Sequence, residues 1–297
     1  METFLQALPH GITLSCRATG ERGQPVLMFL HGFPEGAFIW DGVMDHFAQH
    51  EHGGYRCIAP NLRGFERSSA PDDAKAYRAK YLLEDIAALV ETEGGKLACL
   101  VAHDWGGAVA WNLANQLPHL MHKLAIINSP HPGTFLRELQ TNARQRAASA
   151  YMNFLIRPDA EQLLEQDDYR RLWDFFTAMG AADAPHAWLS DAVKQQYRTL
   201  WSSGLRGGCN YYRASPLRPP RTDDAGATSV VLPRAMLTVG LPTLVIWALN
   251  DLALLPELLD GLDGYIPNLC VKTVADASHW IVHEQPQLVI DTLSGFL

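Results

Sequence analysis

The first 130 residues alternate short apolar runs with longer amphipathic segments. The apolar runs are too short for helices and rich in strand-forming residues. We therefore predict buried strands at residues 25–30, 56–60, 96–102 and 124–128. Between them, residues 80–95 and 108–121 have the apolar spacing of helices, and the second helix should stop near Pro118. This alternation predicts the α/β class, a mostly parallel central sheet with right-handed crossovers and flanking helices.

The pattern changes near residue 131. Residues 131–236 are helical in pattern, rich in Trp, Tyr, Arg and Gln, and contain no clear strand. The strand pattern then resumes, with strands at 243–249 and 270–275 and a closing helix at 286–297. We predict a core domain of residues 1–130 and 237–297, interrupted by a helical cap of residues 131–236. Ligands of open parallel sheets bind outside the carboxyl ends of the strands, so the cap would close over that crevice.

Composition excludes several classes of function. The chain has 297 residues and a formal net charge of −8, with no basic patch, so nucleic acid is not an expected partner. Its first residues lack the pattern of a secretory signal, and no apolar run is long enough to cross a bilayer. Five widely spaced cysteines without a C-x-x-C pair indicate reduced thiols in a cytoplasmic protein. The oligomeric state is left open, a homodimer included.

Three polar residues follow the ends of predicted strands. Asp104 ends the run LACLVAH, Asp251 follows TLVIWALN, and His279 follows CVKTVADAS. Their order matches the nucleophile, acid and histidine order of an α/β-hydrolase triad, with aspartate in place of serine. In that fold, the loop after the first core strand and the residue after the nucleophile each donate one backbone N–H to an oxyanion hole. Here those donors would be Phe33 and Trp105.

Each of these residues also has a purely structural interpretation. Asp104 could cap a helix, Asp251 could be an ordinary loop acid, and His279 could be a core histidine. The joint pattern is more specific than any member, because all three stand in order at strand ends. His279 and His283 are also four residues apart, but no third ligand accompanies them, so we expect neither a metal nor a cofactor.

Five segments resemble the successive signatures of epoxide hydrolases of the α/β-hydrolase fold. They are HGFPEGAFIW, NLRGFERSSAP, AHDWGGAVAW, ALNDLALLP and ASHWIVHEQP, and the similarity covers nearly the whole chain. Epoxide hydrolases supply two tyrosines from the cap, which the resemblance assigns to Tyr151 in AYMNFLIRP and Tyr212 in NYYR. Asn128 stands at a strand end where some relatives place the triad acid, and because an amide cannot serve as that acid, Asp251 is favoured.

An aspartate suits displacement at a saturated carbon. It is ionised near neutral pH, attacks without a base and leaves an alkyl-enzyme ester. His279, oriented by Asp251, would then activate water to hydrolyse that ester. An epoxide oxygen leaves as a basic alkoxide and needs a proton donor, which the Tyr151 and Tyr212 phenols would supply. The expected substrates are therefore a small epoxide and water.

Alternatives remain open on the sequence. Haloalkane dehalogenases share the aspartate and Trp105, but Phe33 stands where many of them have an asparagine for halide. Fluoroacetate dehalogenases carry arginines after the nucleophile, where this chain has DWGGA. A non-catalytic binding protein of the same fold is a third alternative. We expect the substrate pocket to include His31, Pro34 and Glu35 of the oxyanion loop, together with Phe154 and Trp173 of the cap.

Overall fold

The buried apolar runs lie in a central sheet that has eight strands in all, described in a computed structural model over residues 1–183 and 185–297. In chain order the strands are β1 (Glu2–Ala7), β2 (Thr13–Thr19), β3 (Val26–Leu30), β4 (Arg56–Pro60), β5 (Leu97–His103), β6 (Met121–Ile127), β7 (Thr243–Ala248) and β8 (Leu269–Val274). Their spatial order is β1-β2-β4-β3-β5-β6-β7-β8. The pairs from β4 to β8 are parallel, and β2 is antiparallel to both β1 and β4.

Helices cover both faces of the sheet because alternate strand residues point to opposite sides. On β3, Leu27 and Phe29 belong to one core cluster, whereas Met28 and Leu30 belong to the other. The helices outside the region between β6 and β7 are α1 (Asp41–Phe47), α2 (Ala79–Thr92), α3 (Trp105–Gln116), α10 (Ile281–Glu284) and α11 (Pro286–Ser294). Helices α1 and α11 pack on the first face, and α2 and α3 pack on the second.

The chain between β6 and β7 is helical. It contains α4 (Pro132–Thr141), α5 (Ala143–Ala148), α6 (Tyr151–Leu155), α7 (Ala160–Ala178), α8 (Asp191–Trp201) and α9 (Arg206–Ala214). Helix α7 is broken near its middle, where Asp167, Asp168 and Tyr169 adopt positive φ angles. Within residues 1–183 and 185–297, no helix combines the length and apolar character needed to span a bilayer.

The predicted α/β fold is confirmed, with two local differences. Strands β1 and β2 were not predicted, because β1 is mostly exposed and neither strand contains an apolar run. The helix predicted over 108–121 instead begins at Trp105 and ends at Gln116, and Met121 already starts β6. The division of the chain into core and cap at residues 131 and 236 stays a prediction.

Helix α3 packs unusually close to the end of β3. A Cβ atom on Gly106 would lie 2.6 Å from the backbone carbonyl oxygens of Leu30 and His31. Backbone atoms cannot move aside as the end of a flexible side chain can. Glycine at this position therefore lets α3 approach the strand and begin directly behind Asp104.

We expect Gly106→Ala to lower the free energy of unfolding by about 1–3 kcal/mol, the usual cost of overpacking. Gly42→Ala is the matched control, because Gly42 is also helical but a Cβ there meets no atom within 4 Å. Alanine favours a helix by about 1 kcal/mol over glycine, so the control should be neutral or stabilising. Urea denaturation of both variants measures the difference. Equal stabilities would contradict the close packing of α3.

Candidate active site

Asp104 occupies a sharp turn between β5 and α3. Its backbone adopts φ 48° and ψ −123°, a region that residues other than glycine rarely occupy. The surrounding structure holds this conformation, since the Asp104 carbonyl accepts a hydrogen bond from Ser129 Oγ at 2.6 Å. The geometry is that of a nucleophile elbow, which presents the carboxylate beyond the carboxyl edge of the sheet.

The structure brings the three predicted triad residues together. His279 Nδ1 lies 2.7 Å from Asp251 Oδ2, and His279 Nε2 lies 3.7 Å from Asp104 Oδ2. Asp251 is fully satisfied in its buried position, because its other oxygen accepts hydrogen bonds from the amides of Ala253 and Leu254. The carboxylate of Asp251 requires the proton on Nδ1, so in the neutral ring Nε2 is the basic nitrogen and faces Asp104.

Buried charges set the protonation of the histidine. Burial alone would lower the pKa of His279, but the charge and hydrogen bond of Asp251, with smaller contributions from Asp104 and Glu35, raise it to about 9. Burial alone would raise the pKa of Asp251, but the positive charge and the hydrogen bond of His279 lower the pKa of that carboxyl group below its usual value. Asp251 and His279 therefore behave as an ion pair.

The loop after β3 provides a hydrogen-bond donor to the Asp104 carboxylate. The Phe33 amide donates a hydrogen bond to Asp104 Oδ1 at 2.8 Å. Gly32 permits this approach, since a Cβ there would lie 2.1 Å from the same oxygen. Trp105 begins α3, and N–H groups of a first helical turn have no acceptor within the helix. Both predicted oxyanion donors thus belong to backbone segments that adjoin the Asp104 carboxylate.

Tyr151 and Tyr212 reach the same cavity as Asp104 from two cap helices. Tyr151 begins α6, Tyr212 lies on α9, and their ring centroids are 6.1 Å apart. The Tyr212 ring packs edge-on against Phe33 at 5.5 Å and Trp105 at 5.0 Å. Burial raises the pKa of each tyrosine, and the negative charge of Asp104 raises it further. Both phenols therefore stay protonated and can donate.

A cavity of about 280 Å³ adjoins Asp104. Its lining includes Asp104, Trp105, Tyr151 and Tyr212, and most of the rest is apolar. Among the described residues that line it, Asp104 is the one charged side chain. The cavity therefore suits a neutral, apolar molecule that presents one polar group to Asp104 and the two tyrosines.

The structure places the expected pocket residues of the oxyanion loop behind this cavity. His31 is buried, where its Nε2 accepts a hydrogen bond from the Leu62 amide at 3.0 Å. The carbonyl oxygen of Pro34 accepts a hydrogen bond from Trp201 Nε1 of the cap at 2.7 Å. These residues hold the loop in place, and neither is among the described residues that line the cavity.

Phe154 and Trp173 of the cap also lie away from the lining. Phe154 packs under the guanidinium of Arg157, and Trp173 packs against Trp201 with ring centroids 4.6 Å apart. Their positions differ from the expectation because apolar spacing shows that a helix face is buried but not what covers it. In this cap the covering surfaces are other cap residues.

Glu35 anchors a buried polar cluster beneath the active site. Glu35 Oε1 accepts a hydrogen bond from Tyr197 of the cap at 2.9 Å and lies 3.0 Å from His283 Nε2. Its other oxygen lies 3.1 Å from His103 Nδ1, and His103 Nε2 contacts the backbone oxygen of His279 at 2.9 Å. Burial would raise the pKa of Glu35, but His103 and His283 lower it well below its usual range. Glu35 is therefore linked through His103 to the backbone of His279.

The sequence analysis did not identify the side chains that contact Glu35 and Asp251. These are His103 and Tyr197 beside Glu35, and Asn128 beside Asp251. Asn128 Nδ2 donates to Asp251 Oδ2 at 2.8 Å, and Asn128 Oδ1 accepts from the Ala248 amide at 2.9 Å. The sequence had excluded Asn128 as the triad acid without giving it a role. A strand-end position was the available signal for Asn128 and His103, whereas nothing in the pattern of α8 distinguishes Tyr197.

Comparisons with known proteins agree with this geometry. A family model described as the alpha/beta hydrolase fold matches residues 25–286. The AB hydrolase superfamily protein YfhM of Bacillus subtilis is 33% identical, over 97% of this chain and 95% of its own length. Epoxide hydrolase 4 of Homo sapiens is 30% identical, over 99% of this chain and 78% of its own length.

A solved structure shows the same arrangement of the backbone. The crystal structure of the Bacillus megaterium epoxide hydrolase in complex with an inhibitor matches with a TM-score of 0.87 and 30% identity. The match covers 99% of each chain, so the similarity extends through the cap region as well as the sheet. The chain therefore belongs to the α/β-hydrolase fold family and, within that family, to the epoxide hydrolases.

Proposed function

We propose that this protein hydrolyses an epoxide to a vicinal diol through an ester formed on Asp104. The observation that carries the proposal is the meeting of three groups in one cavity: the Asp104 carboxylate at the elbow and the hydroxyl-bearing rings of Tyr151 and Tyr212. A carboxylate supplies the nucleophile, and protonated phenols supply the acid that an alkoxide leaving group requires.

The first step is substitution at an epoxide carbon. Phe33 holds Asp104 Oδ1, which leaves Oδ2 to attack. As the new C–O bond forms, the epoxide C–O bond breaks, and its oxygen takes a proton from Tyr151 or Tyr212. The product is a hydroxyalkyl ester of Asp104 in which Oδ1 has become the carbonyl oxygen.

The second step hydrolyses the ester. His279 Nε2 takes a proton from water, and the resulting hydroxide adds to the Asp104 side-chain carbonyl carbon. The amides of Phe33 and Trp105 stabilise the negative charge that develops on the carbonyl oxygen. Collapse breaks the bond between the carbonyl carbon and the alkyl oxygen, which takes the proton of the new Asp104 carboxyl group and leaves as the second hydroxyl of the diol. The proton held by His279 returns to the tyrosine that lost its proton in the first step, so Asp104, His279 and the tyrosine regain their starting states.

The cavity disfavours the two dehalogenase alternatives. Halide leaves without a proton, so it would not need the proton of either phenol in the cavity. A haloacid needs a cation for its carboxylate, and the described residues that line the cavity include no lysine, arginine or histidine.

We expect Tyr151→Phe/Tyr212→Phe to lower epoxide turnover by about 10²–10⁴-fold, the usual contribution of general acid catalysis. A parallel assay of epoxides and bromoalkanes, with diol and bromide as products, measures the change. Tyr211→Phe is the control, because Tyr211 is the neighbouring tyrosine but its hydroxyl donates to the Arg63 carbonyl at 2.9 Å. It should lose far less epoxide turnover. Efficient bromide release that survives the loss of both hydroxyls would instead indicate a dehalogenase.

Hydrolysis of the ester should depend on pH through His279. The base must be neutral, so hydrolysis should slow as pH falls through the pKa of His279. The negative charge of Asp104 contributes to that pKa of about 9, and esterification removes this charge and lowers the pKa. The rate should therefore rise with pH and reach its plateau at a pH below 9. Rapid-quench single turnovers, run at pH values on both sides of the point where the rate levels off, measure the ester and the diol separately.

His279→Gln provides the matched comparison for the pH profile. This variant should still form the ester and accumulate it, because alkylation of Asp104 does not use the histidine. Intact-protein mass spectrometry would detect the added mass of one substrate. A hydrolysis rate in the wild type that is flat across this pH range would contradict the role of His279 as the base.

A further inference from the structure

The cavity runs from Asp104 along helix α3. Trp105, Ala108, Val109 and Asn112 line it, and their spacing places them on one face of the helix. Asn112 lies about 12 Å along the helix axis from Asp104, at a rise of 1.5 Å per residue. We call this part of the cavity the α3 arm.

The far side of the α3 arm is apolar and reaches the surface. The apolar residues that line the cavity include Phe135 of α4, Leu217 after α9, and Leu232 and Met236 before β7. Met236 is 52% exposed, so the outer end of the arm opens to solvent beside it. The arm therefore offers an apolar passage from solvent to the nucleophile.

A cluster of packed aromatic side chains adjoins His279 and Tyr151, and none of its members is among the described residues that line the cavity. This aromatic wall consists of Phe175, Phe176, Trp188, Tyr197 and Trp280. The rings of Phe176 and Trp280 have centroids 4.5 Å apart, and these two residues are 0% and 1% exposed. Such close contact between buried rings leaves no room for an alkyl group between them.

The aromatic wall flanks both the base and the acid. Trp280 directly follows His279, with ring centroids 5.0 Å apart, and Phe175 packs on Tyr151 at 5.8 Å. The Phe175 and Trp280 rings meet at 5.9 Å. An epoxide held between Asp104 and the tyrosines thus has open space toward α3 and packed rings toward α7 and Trp280.

We infer that this site selects epoxides substituted on one ring carbon only, with a neutral apolar substituent that lies in the α3 arm. In a trans-disubstituted epoxide the two substituents diverge, so one of them would be directed at the aromatic wall. An anionic substituent would lose its hydration in the arm without gaining a cation. The inference rests on the proposed function and specifies its substrate class.

Two constitutional isomers test this selection. 1,2-Epoxyoctane carries one hexyl group, whereas trans-4,5-epoxyoctane carries two propyl groups and has the same composition. We expect kcat/KM to favour the terminal isomer by about 100-fold or more, since a misplaced alkyl group costs about 10–200-fold per methylene in a fitted pocket.

The corresponding diols separate fit from chemical reactivity. Internal epoxides are intrinsically more hindered, but binding of a diol involves no bond making. 1,2-Octanediol should therefore inhibit the turnover of 1,2-epoxyoctane at a concentration about tenfold lower than 4,5-octanediol does. Equal inhibition by the two diols would overturn the inference.

Variants on the two sides should change selectivity in opposite ways. Phe175→Ala opens the aromatic wall and should reduce the preference for the terminal isomer by about tenfold or more. Asn112→Trp fills the α3 arm and should lower kcat/KM for 1,2-epoxyoctane relative to 1,2-epoxypropane by about tenfold. Asn112→Ala removes the same amide without filling the arm, so that ratio should change far less.

The outcomes distinguish this inference from the function on which it rests. Comparable kcat/KM values for the two epoxyoctanes would overturn the one-arm selection and leave epoxide hydrolysis standing. Diol from neither isomer, nor from 1,2-epoxypropane, with a folded wild-type protein would overturn the proposed function and the inference together.

Discussion

The active site depends on the backbone conformation of Asp104. A positive φ angle at the junction of β5 and α3 directs the carboxylate away from the sheet, where Phe33 can hold one oxygen and His279 can approach the other. That conformation is costly, so it requires support from tight packing beneath it. Gly106 provides the support by letting α3 approach the end of β3. The close packing of α3 on β3 therefore also fixes the direction of the Asp104 carboxylate.

Charge balance is the second organising feature of the site. Burial of a single carboxylate is expensive, but here Asp104, Asp251 and Glu35 lie close to histidine rings. His279 is the shared element, since Asp251 holds its ring nitrogen and His103 connects its backbone to Glu35. Tyr197, Trp201 and the loop containing Glu35 also join the cap to the core. Glu35 therefore connects the backbone of His279, through His103, to the cap, through Tyr197.

Sequence periodicity predicted most of the sheet, and strand-end positions selected Asp104, Asp251 and His279, which the structure brings together. Buried parallel strands have continuous apolar runs, and catalytic groups gather where those strands end. The exposed strand β1 lacks that signal and was missed. Resemblance to a family, and not spacing, selected Tyr151 and Tyr212. The lining residues Leu217 and Leu232 were not predicted, because they lie in irregular segments whose position depends on tertiary packing, and the same packing turned Trp173 away from the cavity.

Covalent participation of Asp104 is the central claim, and an oxygen-isotope experiment tests it most directly. Enzyme in excess over epoxide would complete a single turnover in ¹⁸O-labelled water, followed by mass spectrometry of the diol and of the peptide that contains Asp104. The account predicts label in the Asp104 carboxylate and none in the first-turnover diol, because the new hydroxyl oxygen comes from the aspartate. Label in the diol with an unlabelled Asp104 would mean that water attacks the epoxide directly, and it would contradict the account.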